Sequence, residues 1–250
     1  MEQKIWILFG IIIVILVIVI GLIIYFGSKC NKKRVFERFD EKNITHSIPA
    51  GVLEYAKEDD PYDKPFVINN LITPASRRAI INYARNHLTD SQVLGGKIKG
   101  IRNSQQCWIS KHDSIIKPIY EKISKQFNIP IENAEDLQVV RYMPGQYYNE
   151  HHDACCDNID KCKEFTKLGG QRKLTVLVYL NDEFTDGETE FKNLGIKIKP
   201  NAGDAIVFYP LARNSSKCHP HALHAGLPVS SGEKWIANLW FREGPYIRSD

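Results

Sequence analysis

No two of the six cysteines in this 250-residue chain form a CxxC pair, which sets aside the usual structural zinc ribbon. No stretch repeats itself, and no low-complexity tract occurs outside one apolar run near the N-terminus, which sets aside repeat architectures. Neither sign of charge is in large excess. The formal net charge is +4, and Lys29, Lys32, Lys33, Arg34 and Arg38 supply much of it. The remainder is nearly balanced and carries no electrostatic footprint for nucleic acid. The chain is 43% hydrophobic and 25% charged, as globular proteins are, so wholesale disorder is excluded. Its length holds one domain of ordinary core size plus appendages.

Ile5 to Phe26 is almost wholly apolar, interrupted by Gly10 and Gly21. A helix needs ~20 such residues to cross a bilayer, whereas the apolar part of a cleaved signal peptide has only about 7–15. Residues 1–30 are therefore expected to be an uncleaved single-pass anchor. The basic cluster after the anchor would hold the bulk of the chain in the cytoplasm. The sequons Asn43-Ile-Thr and Asn214-Ser-Ser, together with the cysteine number, favour a lumenal domain instead. The expected location is the endoplasmic reticulum, another endomembrane or a viral membrane, with the lumenal side slightly favoured. Residues 31–65 are mostly polar and read as a stalk, leaving 66–250 as the folded domain.

Within that domain Phe66-Val-Ile reads as a strand. Thr73-Pro74 opens a helix, with Thr as N-cap and Pro in the first turn. A second helix is expected from Asp113 to before Pro130. Between them, Gly95 to Ser110 reads as a polar, Gly-containing loop. From Leu137 onward the pattern is mainly strands: Leu174–Leu180, Thr189–Phe191, Ile196–Lys199, Ala205–Tyr209 and Trp235–Phe241, separated by turn signals such as Asp186-Gly187. Two helices followed by many short strands predict a mainly β fold with flanking helices, in the form of a double-sheet barrel or jelly roll.

One stretch concentrates the chemistry. Leu137-Gln-Val-Val begins as a strand, Pro144-Gly145 turns the chain, and His151-His152-Asp153 follows. In an extended segment residues i and i+2 share a face, so His151 and Asp153 converge while His152 points away. His224 is a candidate third ligand. Two histidines and one carboxylate leave open positions on an octahedral metal, the arrangement of non-haem Fe(II) oxygenases.

The combination HxD, then His224-Ala-Gly-Leu-Pro-Val, then Gly232-Glu-Lys234-Trp resembles the Fe(II)- and 2-oxoglutarate-dependent dioxygenases of the prolyl 4-hydroxylase type. Further matches are Leu137-Gln-Val-x-x-Tyr-x-x-Gly-Gln, Gly169-Gly-Gln-Arg172-x-x-Thr175, and Gly187-Glu-Thr189, where Asp186 replaces a family glycine. The resemblance covers about residues 66–242. It implies a double-stranded β-helix core and Fe(II) held by His151, Asp153 and His224. It also implies that Lys234 binds the distal carboxylate of 2-oxoglutarate, with help from Tyr142 and Thr189. Tyr148, Arg172 and Trp240 match positions that shape the groove around a target proline. The implied reaction uses O2, converts 2-oxoglutarate to succinate and CO2, and turns peptidyl proline into 4-hydroxyproline, with ascorbate restoring oxidised iron. The implied partner is a proline-containing peptide or protein. Asn238 stands where many relatives have Thr, and Arg242 where some have His, both near the cosubstrate and substrate end.

Two other readings compete. One is an oxygenase of the same fold acting on another residue or a small molecule, and the other is a non-catalytic peptide-binding module. His219 and His221 form an HxH pair that reads as solvated loop histidines rather than a second metal site. Cys155 and Cys156 could pair with Cys162, Cys218 or Cys107 in an oxidising compartment. Cys30, just past the anchor, reads as a spectator.

Overall fold

The structure is a computed structural model that describes residues 55–91, 103–156 and 159–247. The expected anchor over 1–30 and most of the expected stalk lie outside these residues. Among the described residues no helix is long and apolar enough to cross a membrane.

The domain is mainly β with a few helices. In chain order the elements are β1 (Phe66–Ile68), α1 (Pro74–Arg85), β2 (Thr89–Asp90), β3 (Gln105–Ile109), α2 (Lys117–Phe127), β4 (Leu137–Tyr142), β5 (Tyr148–His151), α3 (Ile159–Lys167), β6 (Arg172–Tyr179), β7 (Phe184–Asp186), β8 (Thr189–Phe191), β9 (Ile196–Ile198), β10 (Ala205–Phe208), β11 (His224–Gly226), β12 (Val229–Gly232) and β13 (Lys234–Arg242). They build a seven-stranded sheet in the order β1-β10-β6-β13-β4-β3-β2, a four-stranded sheet in the order β5-β11-β8-β9, and the β12-β7 ribbon.

The helices begin where side chains can satisfy their free amides. Thr73 caps α1 by accepting from the Ser76 amide, as its Thr-Pro signal predicts. Helix α2 starts later than the sequence suggests. Asp113 instead caps the turn before it, accepting from the Ile115 amide, and Pro118 sits in the first turn of the helix. Asn128, at φ +50°, ends it.

β6 is buried on both faces, which is why Leu174 to Tyr179 reads as an unbroken apolar run rather than an alternation. Leu177 and Tyr179 enter a core shared by the two larger sheets. That core includes Val140, Ile206, Phe208 and Ile236 from the large sheet and Phe191 from the small one. On the other face Tyr120 of α2 packs on Phe241, and Arg85 of α1 lies over Trp235.

The expected loop from Gly95 to Ser110 contains a strand. β3 pairs with β4 from Gln105↔Arg141 to Ile109↔Leu137. Its glutamines hid it from a reading based on apolar alternation. Helix α3 was likewise not anticipated. It is tied to the segment after the HxD motif by the Cys155–Cys162 disulfide. The end of the expected stalk already packs on the domain: Ala56 is buried, and its amide donates to the Cys218 carbonyl.

Candidate active site: a His-Asp-His centre beside a buried lysine

β5 and β11 are adjacent, and their register places His151 opposite His224. Asp153 follows β5 directly. One donor atom from each of the three residues lies within 4.8 Å of the others. His151 Nε2 is 3.8 Å and His224 Nε2 3.9 Å from Asp153 Oδ1.

The second nitrogen of each imidazole is already committed. His151 Nδ1 lies 2.7 Å from the Asn149 carbonyl, and His224 Nδ1 lies 2.9 Å from that of Ala222. A carbonyl only accepts, so Nδ1 carries the proton and Nε2 presents a lone pair to the centre. Asp153 is oriented in the same way. Its Oδ2 accepts from Thr175 Oγ1 at 2.7 Å and from Trp240 Nε1 at 2.9 Å, leaving Oδ1 for the centre. Burial alone would raise the Asp153 pKa. Electrostatic attraction from His224, His151 and Arg172, together with the Trp240 N–H, outweighs it and holds the carboxyl at about 2. Two imidazole lone pairs and one permanently ionised oxygen fit Fe(II).

Lys234 opens β13 and pairs in register with Tyr142 at the end of β4. The side chain is 1% exposed, and its Nζ donates to the Gly187 carbonyl at 2.6 Å. Nζ also lies 5.0 Å from the Tyr179 ring centre and 5.4 Å from that of Tyr142. No carboxylate among the described residues forms an ion pair with it. Burial lowers its pKa to about 7, Glu188 opposes the shift and Lys199 reinforces it. A buried ammonium without a counterion calls for an anionic guest. Thr189 Oγ1, 2.9 Å from Tyr179 Oη, lines the same region, and Gly226 leaves room beside Tyr142 and Tyr148. This donor set fits the far carboxylate of 2-oxoglutarate.

The three residues expected to shape the groove take distinct places. Tyr148 stacks on His151 with ring centres 3.6 Å apart. Trp240 holds Asp153. Arg172 lies over the Trp240 ring at 3.6 Å, and Glu135 grips it through two bonds of 2.7 and 2.9 Å. Glu135 also binds Arg242, which is buried and donates to the Phe165 and Gly170 carbonyls. Arg242 therefore braces the sheet behind Arg172.

Thr175, Tyr179 and Glu135 were not singled out from sequence. Thr175 stands in a quoted motif, but nothing in the sequence shows that its hydroxyl meets Asp153. Glu135 carries no motif at all. His219 is buried rather than solvated. It stacks on Tyr62 with ring centres 4.4 Å apart, accepts from the His221 amide and meets the Asp60 carbonyl. Among the described residues the only cluster with metal-ligand geometry is His151, Asp153 and His224. Cys156 pairs with Cys218, closing the second disulfide beside the site.

Residues 137–242 match the 2OG-Fe(II) oxygenase superfamily, which defines the class of this fold and site. The chain is 66% identical over 189 residues to a prolyl 4-hydroxylase-type protein of Acanthamoeba polyphaga mimivirus, covering 76% of this chain and 78% of that protein. It is 32% identical over 223 residues to prolyl 4-hydroxylase 2 of Arabidopsis thaliana, covering 78% and 73%. Among solved structures, the viral collagen prolyl hydroxylase of Paramecium bursaria Chlorella virus-1, in its 2-oxoglutarate complex, superposes with a TM-score of 0.57 at 35% identity, covering 71% of this chain and 95% of that one. The chain belongs to the prolyl 4-hydroxylase-type 2OG-Fe(II) oxygenases.

Proposed function

We propose that this protein hydroxylates peptidyl proline to 4-hydroxyproline, with Fe(II), 2-oxoglutarate and O2 as cofactor and co-substrates. The observation that carries the reading is the convergence of three oriented ligand atoms beside a buried lysine without a counterion. Bound iron supplies the activation of O2, coupled to oxidative decarboxylation of 2-oxoglutarate to succinate and CO2. His151, Asp153 and His224 would hold the metal. Lys234 and the Thr189 hydroxyl anchor the far carboxylate, and Tyr142 closes the pocket wall. Tyr148, Trp240 and Arg172 surround the open side, where the Tyr148 and Trp240 rings suit a pyrrolidine ring. Ascorbate would be the accessory reductant.

The two facing sheets, with core side chains drawn from both, are read as a double-stranded β-helix. Residues 1–30 are read as a membrane anchor, with the catalytic domain on the lumenal side of the endoplasmic reticulum, another endomembrane or a viral membrane. The disulfides Cys155–Cys162 and Cys156–Cys218 support an oxidising compartment, and Asn214 lies on an exposed turn that a glycosyltransferase could reach.

The test is succinate release by the full chain in detergent with Fe(II), 2-oxoglutarate and ascorbate, with and without a (Pro-Pro-Gly)-type peptide and a proline-rich non-collagen peptide. Stimulation by a peptide, hydroxyproline in the product and loss of both in His224→Ala are expected. Turnover without stimulation by either peptide would move the reading to an oxygenase with a different substrate. Resistance to carbonate extraction and a mobility shift on deglycosylation are the expected results for the membrane reading.

A further inference from the structure

Three carboxamides cross the inner face of the large sheet next to the His-Asp-His centre. Asn238 Nδ2 donates to Gln138 Oε1 at 3.0 Å, and Gln138 Nε2 donates to Gln106 Oε1 at 2.7 Å. They come from neighbouring strands, β13, β4 and β3. Alternation fixes the face they share. Asn238 is two residues from Trp240, which holds Asp153, and four from Lys234. Trp108, opposite Gln138 in register, has its ring 6.1 Å from that of Trp240. The core between the sheets takes Val140 and Tyr142 from β4 but, among the described residues, nothing from β3. The row therefore lies where the small sheet stops covering the large one.

A row of amides has two different ends. The inner bonds leave Asn238 Oδ1 as an acceptor at one end and Gln106 Nε2 as a donor at the other. Among the described residues neither atom meets a protein partner, and both reach solvent. Two strand spacings of ~4.8 Å place the ends roughly 10 Å apart. A polyproline-II chain advances ~3.1 Å per residue with three residues per turn, so its backbone presents groups at about this interval along one side.

We propose that the Gln106–Gln138–Asn238 row is a specificity element that reads the backbone of the proline-containing substrate, accepting one peptide N–H and donating to a carbonyl one turn away. This rests on the prolyl-hydroxylase reading above. Proline has no N–H, so the acceptor end discriminates against proline at one register of the peptide while the target proline reaches the metal centre. Asn238 and Gln106 thereby select where along a proline-rich chain the enzyme acts.

The test compares a (Pro-Pro-Gly)-type peptide with its counterpart carrying N-methylglycine for glycine, using the full chain and kcat/KM from hydroxyproline formation. In the wild type, N-methylation is expected to lower kcat/KM about tenfold, the loss of one hydrogen bond. N-methylation also alters the peptide itself, so the comparison across variants is decisive. The penalty should collapse in Asn238→Val, which removes the acceptor for the N–H, while Gln106→Met, which removes the donor to the carbonyl, keeps the penalty and raises KM for both peptides. A thermal shift on adding 2-oxoglutarate shows that each variant is folded. An equal N-methyl penalty in the wild type and Asn238→Val overturns the proposal and leaves the hydroxylase reading intact. Hydroxylation by the wild type of neither these peptides nor the proline-rich non-collagen peptide overturns both.

Discussion

At the scale of single residues, the site is held by groups that bind the ligands rather than the metal position itself. Thr175 and Trp240 occupy Asp153 Oδ2 and so direct Oδ1 to the metal position. Partners of metal ligands are typically worth 10–100-fold in affinity. Thr175→Val keeps the volume and removes the donor, so Fe(II) affinity is expected to fall about tenfold or more by anaerobic titration, with little change in melting temperature. Lys234 gives a pH prediction. With its pKa near 7, the buried amine loses its charge as pH rises, and the pocket then loses its attraction for a carboxylate. The 2-oxoglutarate Kd is expected to rise roughly tenfold per pH unit above neutrality, and the slope to vanish in Lys234→Gln. The stability effect has the opposite sign. Between about 7 and 10.5 the unfolded chain keeps a proton that the folded lysine has released, so this group favours the folded state more as pH rises. His151, Asp153, His224 and Lys234 were legible in the sequence because each sits in a short motif whose spacing survives in one strand or turn. Thr175, Glu135 and Tyr179 were not, because their partners come from other segments and meet them only when the sheets and loops pack together.

At the scale of elements, turns and strand ends aim the functional groups. The β7–β8 connection holds Asp186 at φ +59° and Gly187 at φ +68°, which presents the Gly187 carbonyl to Lys234. Aspartate tolerates this left-handed conformation better than most residues, which explains how it stands where relatives use glycine. A Cβ on Gly187 would lie 3.0 Å from Val229 Cγ2 and 3.4 Å from Lys234 Cδ. Gly187→Ala is expected to cost about 1–2 kcal/mol in the denaturation midpoint and to raise the KM for 2-oxoglutarate more than it lowers kcat. The strand from Leu174 was readable because burial on both faces gives an unbroken apolar run. β3 was not, because Gln105 and Gln106 break the pattern that marks a strand, and the same polar side chain at 106 now ends the carboxamide row. Helix α3 was hidden for a different reason: it is short, and a disulfide to Cys155 supplies restraint that no helical periodicity advertises.

At the scale of the whole molecule, cross-links bind the periphery to the centre. Cys156–Cys218 joins segments 62 residues apart. Its removal in a Cys156→Ser, Cys218→Ser variant is expected to lower stability by about 2–4 kcal/mol, measured by urea unfolding. The sequence narrowed the possible cysteine partners but left the pairing open, because connectivity depends on how the chain packs. The packing of Tyr62 on buried His219 was equally invisible, since it joins the end of an expected stalk to a distant loop.

The same bridge also changes the statistics of the unfolded chain. Cys156 lies three residues after Asp153, and Cys218 lies six residues before His224. Along the backbone the two ligands are far apart, yet through the sulfurs they are separated by a short tether. Shortening the connecting path this much lowers the entropy of bringing its ends together by about 2 kcal/mol. An oxidised chain that has not yet folded thus holds two of its three iron ligands at a raised mutual concentration.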